Sequence, residues 1–513
     1  NVIPAVSTSI GGFAGYFKWG PINEVTLISS EKALHQKFGK PDSSALYADP
    51  FFQAASFLNY GEALKVVRGG SSAGFSNATD NGGSSGTGVF NVSALDATGL
   101  SDDTYTATIG SQTFEFTVVS DVATITTNVS VSLAEQVATL SVTDVVASPD
   151  ATIDVPVTYT EVEAIDGVWI PNENYFEDYF SSPEGATFAA KYPGVAGNSL
   201  AVFALNADEF QAIADGIGAS PATHTEEEIA VYNSFDLKPD ADEVHVAVVD
   251  VNGVFGEAGL IVEQFAGLSI SKTAKTEAGA TNYIKNVINA KSKYVYLVKG
   301  DTTDFVVADF AGTYSFSGGT EATSEENLDT DTMTALDLLG DVETQDVNLL
   351  FSQIMSDGAL LQNYTHQMAY TRKDAVAFLS PKKSATVGNI SPLADVLEFA
   401  RGTGTDSITK RDNDGSYGVI DSGAVYIYDR YNDVYRYIPA NGHIAGLCAN
   451  TDDVADPWFS PAGYNRGGLR GIVKLAFNPQ KAQRDELYKA GINPVVSQPG
   501  QGTILFGDKT AQA

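Results

Sequence analysis

The sequence predicts a multidomain α/β (α+β) protein in which a discontinuous core domain carries an inserted mixed α/β domain and an inserted all-β outer domain. The first observation is length, because 513 residues correspond to about three or four domains of roughly 150 residues each. The second is charge: residues 71–270 contain only two basic residues, Lys191 and Lys238, whereas both ends of the chain are rich in them. The third is the Gly/Ser/Asn run at 69–88, which offers little from which to build a core. Similar ends around a different middle indicate insertions into one domain.

The two ends of the chain are predicted to be α/β. Ser30 is placed to cap a short helix. Residues 374–381 form an apolar run that is typical of a central strand covered on both faces. Near the C-terminal end, Asn478 as the cap and Pro479 as the first helical residue predict a helix that ends before Gly491.

The middle of the chain is predicted to contain two further units. Residues 75–163 alternate Thr, Val, Ile, Phe and Tyr with small and polar residues, and Gly110-Ser111 predicts a tight hairpin between two such runs. Residues 164–340 mix strands with helical stretches and close on a Ser/Thr/Glu-rich loop at 317–332. The predicted division is 1–70 with 341–513 as the core domain, 71–74 with 164–340 as the middle α/β domain, and 75–163 as the outer all-β domain.

The composition excludes several classes of partner. The formal net charge of −34 would repel phosphate backbones, so no nucleic-acid partner is expected. No segment approaches the roughly 20 apolar residues that cross a bilayer, so no membrane insertion is expected. The single cysteine, Cys448, cannot form an intrachain disulfide and is interpreted as a small buried apolar residue.

The motifs of catalysis and of cofactor or metal binding are missing from the sequence. Gly463 is followed by Gly467-Gly468, but the Lys-Ser/Thr of a phosphate-binding loop does not follow. The five histidines lack the spacing of a metal-binding helix. Residues 412–415 resemble part of a calcium loop, yet Lys410 occupies the place of the first carboxylate. We therefore expect no enzyme activity, no cofactor and no metal.

A basic row near the C-terminal end predicts an interaction surface. A helix is predicted to start near Leu469, and Arg466, Arg470 and Lys474 recur every four residues, so a helix through them would carry one basic stripe. A solvated helix face is the alternative interpretation. In a chain this acidic, an ordered cationic row is also a candidate docking surface for an acidic partner or for a second copy.

A tyrosine-rich hairpin extends this candidate interface. Residues 424–439 are predicted to form two strands that turn at Asn432-Asp433. Arg430 and Arg436 lie in this hairpin and complete the set of candidate interface residues.

Three blocks of sequence are similar to a known family. The first is 11–41 running through 57–69, the second is 191–202, and the third is 428–495 with 502–511 after it. The most specific is Trp-Phe-Ser-Pro-Ala-Gly-Tyr-Asn-Arg-Gly at 458–467, which is hard to obtain by chance. In these blocks the chain resembles the tail sheath proteins of contractile-tailed bacteriophages, in particular the T-even type. The matching regions are the two ends of the chain, and the middle matches mainly in position.

The resemblance implies a structural function. Members of the family form stacked six-subunit rings around the tail tube, and contraction of the stack drives the tube through the host envelope without nucleotide. The implied partners are neighbouring sheath subunits, the tail tube protein, and the baseplate and tail terminator proteins. The implied location is the phage tail of the virion, after assembly in the host cytoplasm. The core domain would then face the tube, and the outer domain would project outward.

Two other classes of protein are alternatives. An acidic β-rich surface adhesin or S-layer-like protein would predict β repeats throughout the chain, and a hydrolase with a carbohydrate-binding insertion would need a convergent acid/base cluster. Sheath family members extend beyond both ends of this sequence. The 513 residues are therefore expected to be a fragment that by itself stays monomeric or associates weakly.

Overall fold

The computed structural model of the protein describes most of the chain. The described residues are 9–80, 90–95, 100–109, 112–120, 122–125, 130–131, 139–144, 152–161, 168–178, 180, 186–217, 224–300, 305–322, 325–354, 359–401, 407–409 and 415–512.

A seven-stranded sheet is built from both ends of the chain. In spatial order its strands are Thr26–Ile28, Leu64–Arg68, Gly11–Gly15, Leu349–Ser352, Val376–Leu379, Gly418–Asp421 and Ile492–Asn493. All neighbouring strands are parallel except the pair at the first edge. The strand Val376–Leu379 lies inside the sheet, so the central strand predicted at 374–381 is confirmed. Parallel strands require crossover connections, and helices supply most of them here.

Helices cover both faces of this core sheet. Adjacent strand residues point to opposite faces, so Phe13 enters one apolar cluster and Ala14 enters the other. The helices of the Phe13 face are Glu31–Phe38, Ala45–Leu58 and Asn441–Val454. The helices of the Ala14 face are Glu325–Asp337, Leu360–Arg372, Pro392–Arg401 and Lys481–Lys489. This arrangement is a doubly wound α/β layer structure.

Two predicted features of these helices are confirmed or corrected by the structure. The Ser30 side chain accepts a hydrogen bond from Ala33 N, which confirms the predicted cap. The loop predicted at 317–332 is wrong for its second half, because the helix Glu325–Asp337 packs on the core sheet. Leu328, Ala335 and Leu336 recur at helical spacing among the polar residues of this segment, and all three are buried.

The middle of the chain forms a four-stranded antiparallel sheet. Its spatial order is Leu260–Ser269, Glu243–Asp250, Leu200–Leu205 and Gly312–Ser315. Helices Ala207–Gly216 and Glu226–Asn233 cover one face, and Ile284–Lys291 covers the other. The smaller elements of this unit are the strand pair Phe188–Ala190 and Val295–Leu297, the helix Glu173–Asp178, and the 3-10 turns Val195–Ser199 and Val307–Phe310.

A second seven-stranded sheet is antiparallel throughout. Its spatial order is Val122–Ile125, Gln112–Val119, Thr104–Ile109, Thr139–Asp144, Thr152–Glu161, Phe90–Leu95 and Ser130–Val131. The predicted turn residues Gly110-Ser111 lie outside the described residues, but the strands on either side of them pair with each other.

The boundary predicted at residue 75 is too early. Ser76 bridges Thr320, and Thr79 bridges both Ala189 and Ser317, so residues 75–80 belong with the middle unit. The boundary predicted at residue 340 is too late, because the helix Glu325–Asp337 packs on the core sheet. The division into three domains otherwise remains a prediction. Among the described residues, no helix has the length and apolar character required to cross a bilayer.

Candidate interaction surface

A small three-stranded sheet carries most of the candidate interface residues. Its strands are Val434–Ile438, Val425–Asp429 and Ile472–Leu475, all antiparallel. Val425, Ile427 and Ile438 face inward and join the apolar cluster on the Phe13 face of the core sheet. The hairpin turns where predicted, and Asp433 in the turn has a φ of 52°. The other face of this small sheet remains available for contacts.

The predicted basic helix stripe is wrong, because residues 472–475 form a strand. Gly471 has a φ of 74°, which breaks helical geometry just before this segment. The β-branched Ile472-Val473 pair then favours pairing with the hairpin. Arg466, Arg470 and Lys474 consequently do not share one helix face.

Arg466 and Arg470 are held by local contacts. The Arg470 guanidinium donates to Asn59 O at 2.8 Å and to Asn450 Oδ1 at 3.1 Å, and it lies 5.0 Å from the Tyr60 ring centroid. Arg466 Nε donates to Ser460 O at 2.8 Å. Both side chains therefore stabilise the loop before the strand.

The predicted hairpin arginines behave differently from each other. Arg436 forms an ion pair with Asp429 at 2.7 Å, and its side chain is only 11% exposed, so it is an internal structural residue. Arg436 as an interface residue stays a prediction; within this chain its guanidinium is held by Asp429 on the inward face of the hairpin. Arg430 is 58% exposed and pairs with Glu31 at 2.8 Å, so its position is compatible with an interface.

Four tyrosines and one lysine form the outward face of the small sheet. Tyr426 lies opposite Tyr437, and Tyr428 lies opposite Tyr435. Lys474 Nζ is 4.4 Å from the Tyr426 ring centroid, a cation–π distance. Tyr428 and Tyr435 are 46% and 54% exposed. We call these five residues the tyrosine face.

The sequence contained a signal for the tyrosine face. Its tyrosines recur at every second position in each strand of the hairpin, which places them on one side of a sheet. The prediction of an interface was based on the basic residues, and it did not include the aromatic side chains.

A second exposed aromatic group lies in the loop that precedes the strand Ile472–Leu475. Trp458 is 78% exposed, and Phe459 and Tyr464 are also exposed. Tyr464 meets Phe506 edge to face at 5.9 Å, beside the hairpin Val495–Gln498 and Gly502–Leu505. Large exposed aromatic side chains in groups mark contact surfaces with other proteins.

The carboxyl ends of the parallel strands are filled by the protein itself. This edge holds ligands in many doubly wound folds. Here Ser380, Asp421 and Asn493 lie at strand ends and are each buried. Asn493 Nδ2 donates to Lys509 O at 2.8 Å, and the Ser380 hydroxyl donates to the Asp421 carboxylate. Burial raises the pKa of Asp421 to about 7.

The described residues contain no group of three or more His, Cys, Asp or Glu side chains placed to hold a metal ion. His443 is buried against Ser56 and Tyr60, and burial lowers its pKa to about 4. Burial raises the pKa of Cys448 to about 12, so its thiolate is disfavoured.

The chain is similar to known tail sheath proteins. The family profile described as the phage tail sheath protein central domain matches residues 327–511. The tail sheath protein of Vibrio phage KVP40 is 30% identical, over 100% of this chain and 80% of the relative. The tail sheath protein of Enterobacteria phage T4 is 27% identical, over 98% of this chain and 79% of the relative. A sheath tail protein from Listeria innocua superposes with a TM-score of 0.45 at 10% identity, covering 98% of this chain and 69% of the other.

These findings place the protein among the structural components of phage contractile tails. Within that class, the chain belongs to the family of tail sheath proteins of the T4 type. The resemblance noted in the sequence is thereby confirmed.

Proposed function

We propose that this protein polymerises as stacked hexameric rings around the tail tube and that contraction of this lattice drives the tube through the host envelope. The observation that carries the proposal is the match to a tail sheath protein that is 30% identical over 100% of this chain and 80% of the relative. The role is mechanical, with no chemical step assigned to any residue. The protein would assemble in the host cytoplasm and remain in the tail of the virion.

The surface of the core unit supports repeated contacts between subunits. The tyrosine face and the exposed Trp458 loop both lie on the unit formed by the two ends of the chain. Aromatic side chains bury a large area at a low cost in conformational entropy, and they are frequent hot spots of protein interfaces. The partners would be neighbouring sheath subunits and the tail tube protein, with baseplate and terminator proteins at the two ends of the tail.

Contraction without nucleotide requires a lattice with two packings. If the contracted packing of each subunit is more stable than the extended packing by a few kcal/mol, the free energy released over the whole tail is large. The subunit must then keep its own fold while its contacts change. The two large apolar clusters on either side of the core sheet are suited to such a rigid body.

Electron microscopy tests this function. The gene product that contains this sequence is expressed with the phage's tail tube protein, and helical tubes that shorten and widen on mild acid or denaturant are expected. Globular particles that never coat the tube, at any concentration, would refute the proposal.

A variant that combines Tyr428→Ser and Tyr435→Ser tests the surface. Because interface aromatics commonly contribute 1–3 kcal/mol or more, the critical concentration for assembly should rise about tenfold or more. Leu237→Ser is the control, since Leu237 is 77% exposed and lies on the middle unit. If the double variant and the control have the same critical concentration for assembly, the tyrosine face is not part of the interface.

A further inference from the structure

A cleft of about 690 Å³ separates the core sheet from the middle unit. One wall consists of the edge strand Thr26–Ile28 and the helix Glu31–Phe38. The opposite wall is the segment 290–294 of the middle unit. The cleft is open to solvent, and none of the residues of the tyrosine face line it.

Lysines are concentrated around this cleft. The five are Lys37, Lys40, Lys191, Lys291 and Lys293. The whole chain has 30 Lys and Arg residues against 64 Asp and Glu residues, so this cleft reverses the general charge balance. One carboxylate, Glu173, also lines it, at 3.8 Å from Lys191 Nζ. We call this feature the lysine cleft.

The charges of the rim are available to a partner. Within the described part of the chain, Lys40, Lys291 and Lys293 form no side-chain ion pair. Lys191 is buried at the back of the cleft and donates to Ser292 O at 2.8 Å. Burial lowers the pKa of His35, and the positive charge of Lys40 lowers it further, which agrees with a positive potential.

Two neighbouring carboxylates reduce this potential without cancelling it. Glu24 interacts electrostatically with Lys37, and Glu263 interacts with Lys293. Burial raises the pKa of both carboxyl groups. With Glu173 they make three carboxylates beside five lysines.

The floor of the cleft fits a polypeptide. Trp19 and Tyr294 both meet Phe255 edge to face, at 4.9 and 5.2 Å. Leu27 is 64% exposed on the edge strand, and Thr26 Oγ1 is buried without a hydrogen-bond partner. Among the strands that the structure describes, none pairs with the outer edge of Thr26–Ile28, and an unpaired edge offers backbone groups to an incoming chain.

We propose that the lysine cleft binds a carboxylate-rich segment of a second copy of this chain. Charge complementarity favours this occupant, because the chain carries exposed acidic segments such as Glu226-Glu227 at the start of a helix. A small anion would use the lysines but leave the apolar floor and the open strand edge uncovered. The inference rests on the proposed function, since a polymer holds each cleft beside a neighbouring copy at high effective concentration.

Zero-length cross-linking tests the proposal directly. Sheath is assembled from equal amounts of 15N-labelled and unlabelled protein and treated with a carbodiimide, which joins a lysine amine to a carboxylate that touches it. Mass spectrometry should find mixed-isotope links from Lys40, Lys291 or Lys293 to an Asp or Glu of another copy. Links confined to one copy, or links to the tail tube protein, would overturn it.

A charge-reversal pair provides the matched control. Lys40→Glu with Lys293→Glu should raise the critical concentration for assembly at least tenfold. Lys238→Glu with Lys275→Glu changes the net charge equally on exposed lysines outside the cleft and should leave assembly unchanged. Thermal unfolding of both variants should match the wild type, because all four side chains are solvent-accessible.

The outcomes separate the two proposals. If neither the wild type nor the control variant coats the tube, the proposed sheath function is wrong. If the cleft variant and the control variant both assemble normally, only the inference about the lysine cleft is wrong. Lysine acetylation distinguishes a small-anion site. If millimolar inorganic phosphate protects the cleft lysines from acetylation as well as assembly does, the cleft binds a small anion and the inference is wrong.

Discussion

Arg68 is the largest side chain that is fully buried among the described residues, and it ties two units together. Its guanidinium donates to Gly20 O at 2.7 Å and to Pro193 O at 3.0 Å, one carbonyl from the core unit and one from the middle unit. It also lies 5.6 Å from the ring centroid of Phe75. Burial lowers the pKa of Arg68 to about 10, so it stays charged at neutral pH.

Replacing Arg68 should weaken the junction between the units. Arg68→Met keeps an apolar side chain of moderate size but leaves two buried carbonyls without a donor, at about 1–3 kcal/mol each. The free energy of unfolding measured by urea denaturation should fall by roughly 3 kcal/mol. Lys238→Met, at an exposed site of the middle unit, should change it by less than about 0.5 kcal/mol. Equal values for both variants would contradict a structural role for Arg68.

His443 should make the protein acid-sensitive. Its folded-state pKa of about 4 lies below the ordinary value of 6.5, so between these values the unfolded chain binds a proton that the folded chain does not. Stability is therefore lost as pH falls from 6.5 to 4, by up to about 3 kcal/mol. His443→Gln should flatten this dependence in urea denaturation measured at several pH values.

Asp421 acts in the opposite direction and provides the comparison. Its folded-state pKa of about 7 lies above the ordinary value of 3.8, so the folded chain holds a proton that the unfolded chain has lost. Its contribution to stability therefore falls as pH rises from about 4 to 7. Asp421→Asn should steepen the net acid sensitivity, and the same pH dependence in both variants would refute these assignments.

At the scale of elements, two glycines allow close packing of helices. The helix Asn441–Val454 crosses Ala45–Leu58 at Gly442 and Gly446. A Cβ built on Gly442 would lie 2.0 Å from Gln53 O, a distance that no atom pair tolerates. The backbones of the two helices are therefore in direct contact, which requires glycine at this position.

Gly442→Ala should separate these helices. Alanine favours a helix over glycine by about 1 kcal/mol, but the clash with a backbone oxygen forces the helix to move, and overpacking of this kind costs about 1–3 kcal/mol or more. We expect a net loss of about 2 kcal/mol and a lower thermal midpoint in calorimetry. Gly468→Ala is the control, because a Cβ there meets open space. A Gly442→Ala protein as stable as the control would contradict the described packing.

Local signals in the sequence predicted many helices, strands and turns, but they did not predict which elements pack or pair with one another. The Ser30 cap and the hairpin turn at Asn432-Asp433 depend on neighbouring residues, and both are present. The last helix starts two residues later than predicted, at Lys481, with Gln480 as its cap. The strand Ile472–Leu475 was missed because its partner lies about 45 residues away along the chain. Pairing of Arg436 with Asp429 likewise depends on which face of the hairpin is buried.

At the scale of the whole molecule, the outer sheet should be removable if the cut respects residues 75–80. Asn77 joins the two segments that lead to and from the outer sheet: its backbone N donates to Val168 O at 2.7 Å, and its side chain donates to Ala190 O at 2.8 Å. The two connections to the outer sheet therefore lie side by side. A short Gly/Ser linker can join them.

Two deletions should give different results. Replacing 84–164 by a Gly/Ser linker should leave the other two units folded, with an unchanged thermal midpoint for the core. Deleting 75–163, the outer domain predicted from sequence, also removes Phe75, which packs with Tyr16 and Tyr47 of the core, and Asn77, which donates to Ile170 O and Ala190 O of the middle unit. That deletion should lower the midpoint by several degrees. The same midpoint for both would mean that residues 75–80 are dispensable.

The core sheet has a consequence for synthesis. The strand Gly11–Gly15 needs Leu349–Ser352 as its neighbour, and more than 330 residues separate them. At the usual ribosomal rate of about 5–20 residues per second, the first strand waits roughly 20 to 70 s for this partner. During that interval the strand has its partner Leu64–Arg68 on one edge only, while the units encoded between the two halves have time to fold. Newly made chains therefore complete the core sheet last, when Ile492–Asn493 pairs with Gly418–Asp421.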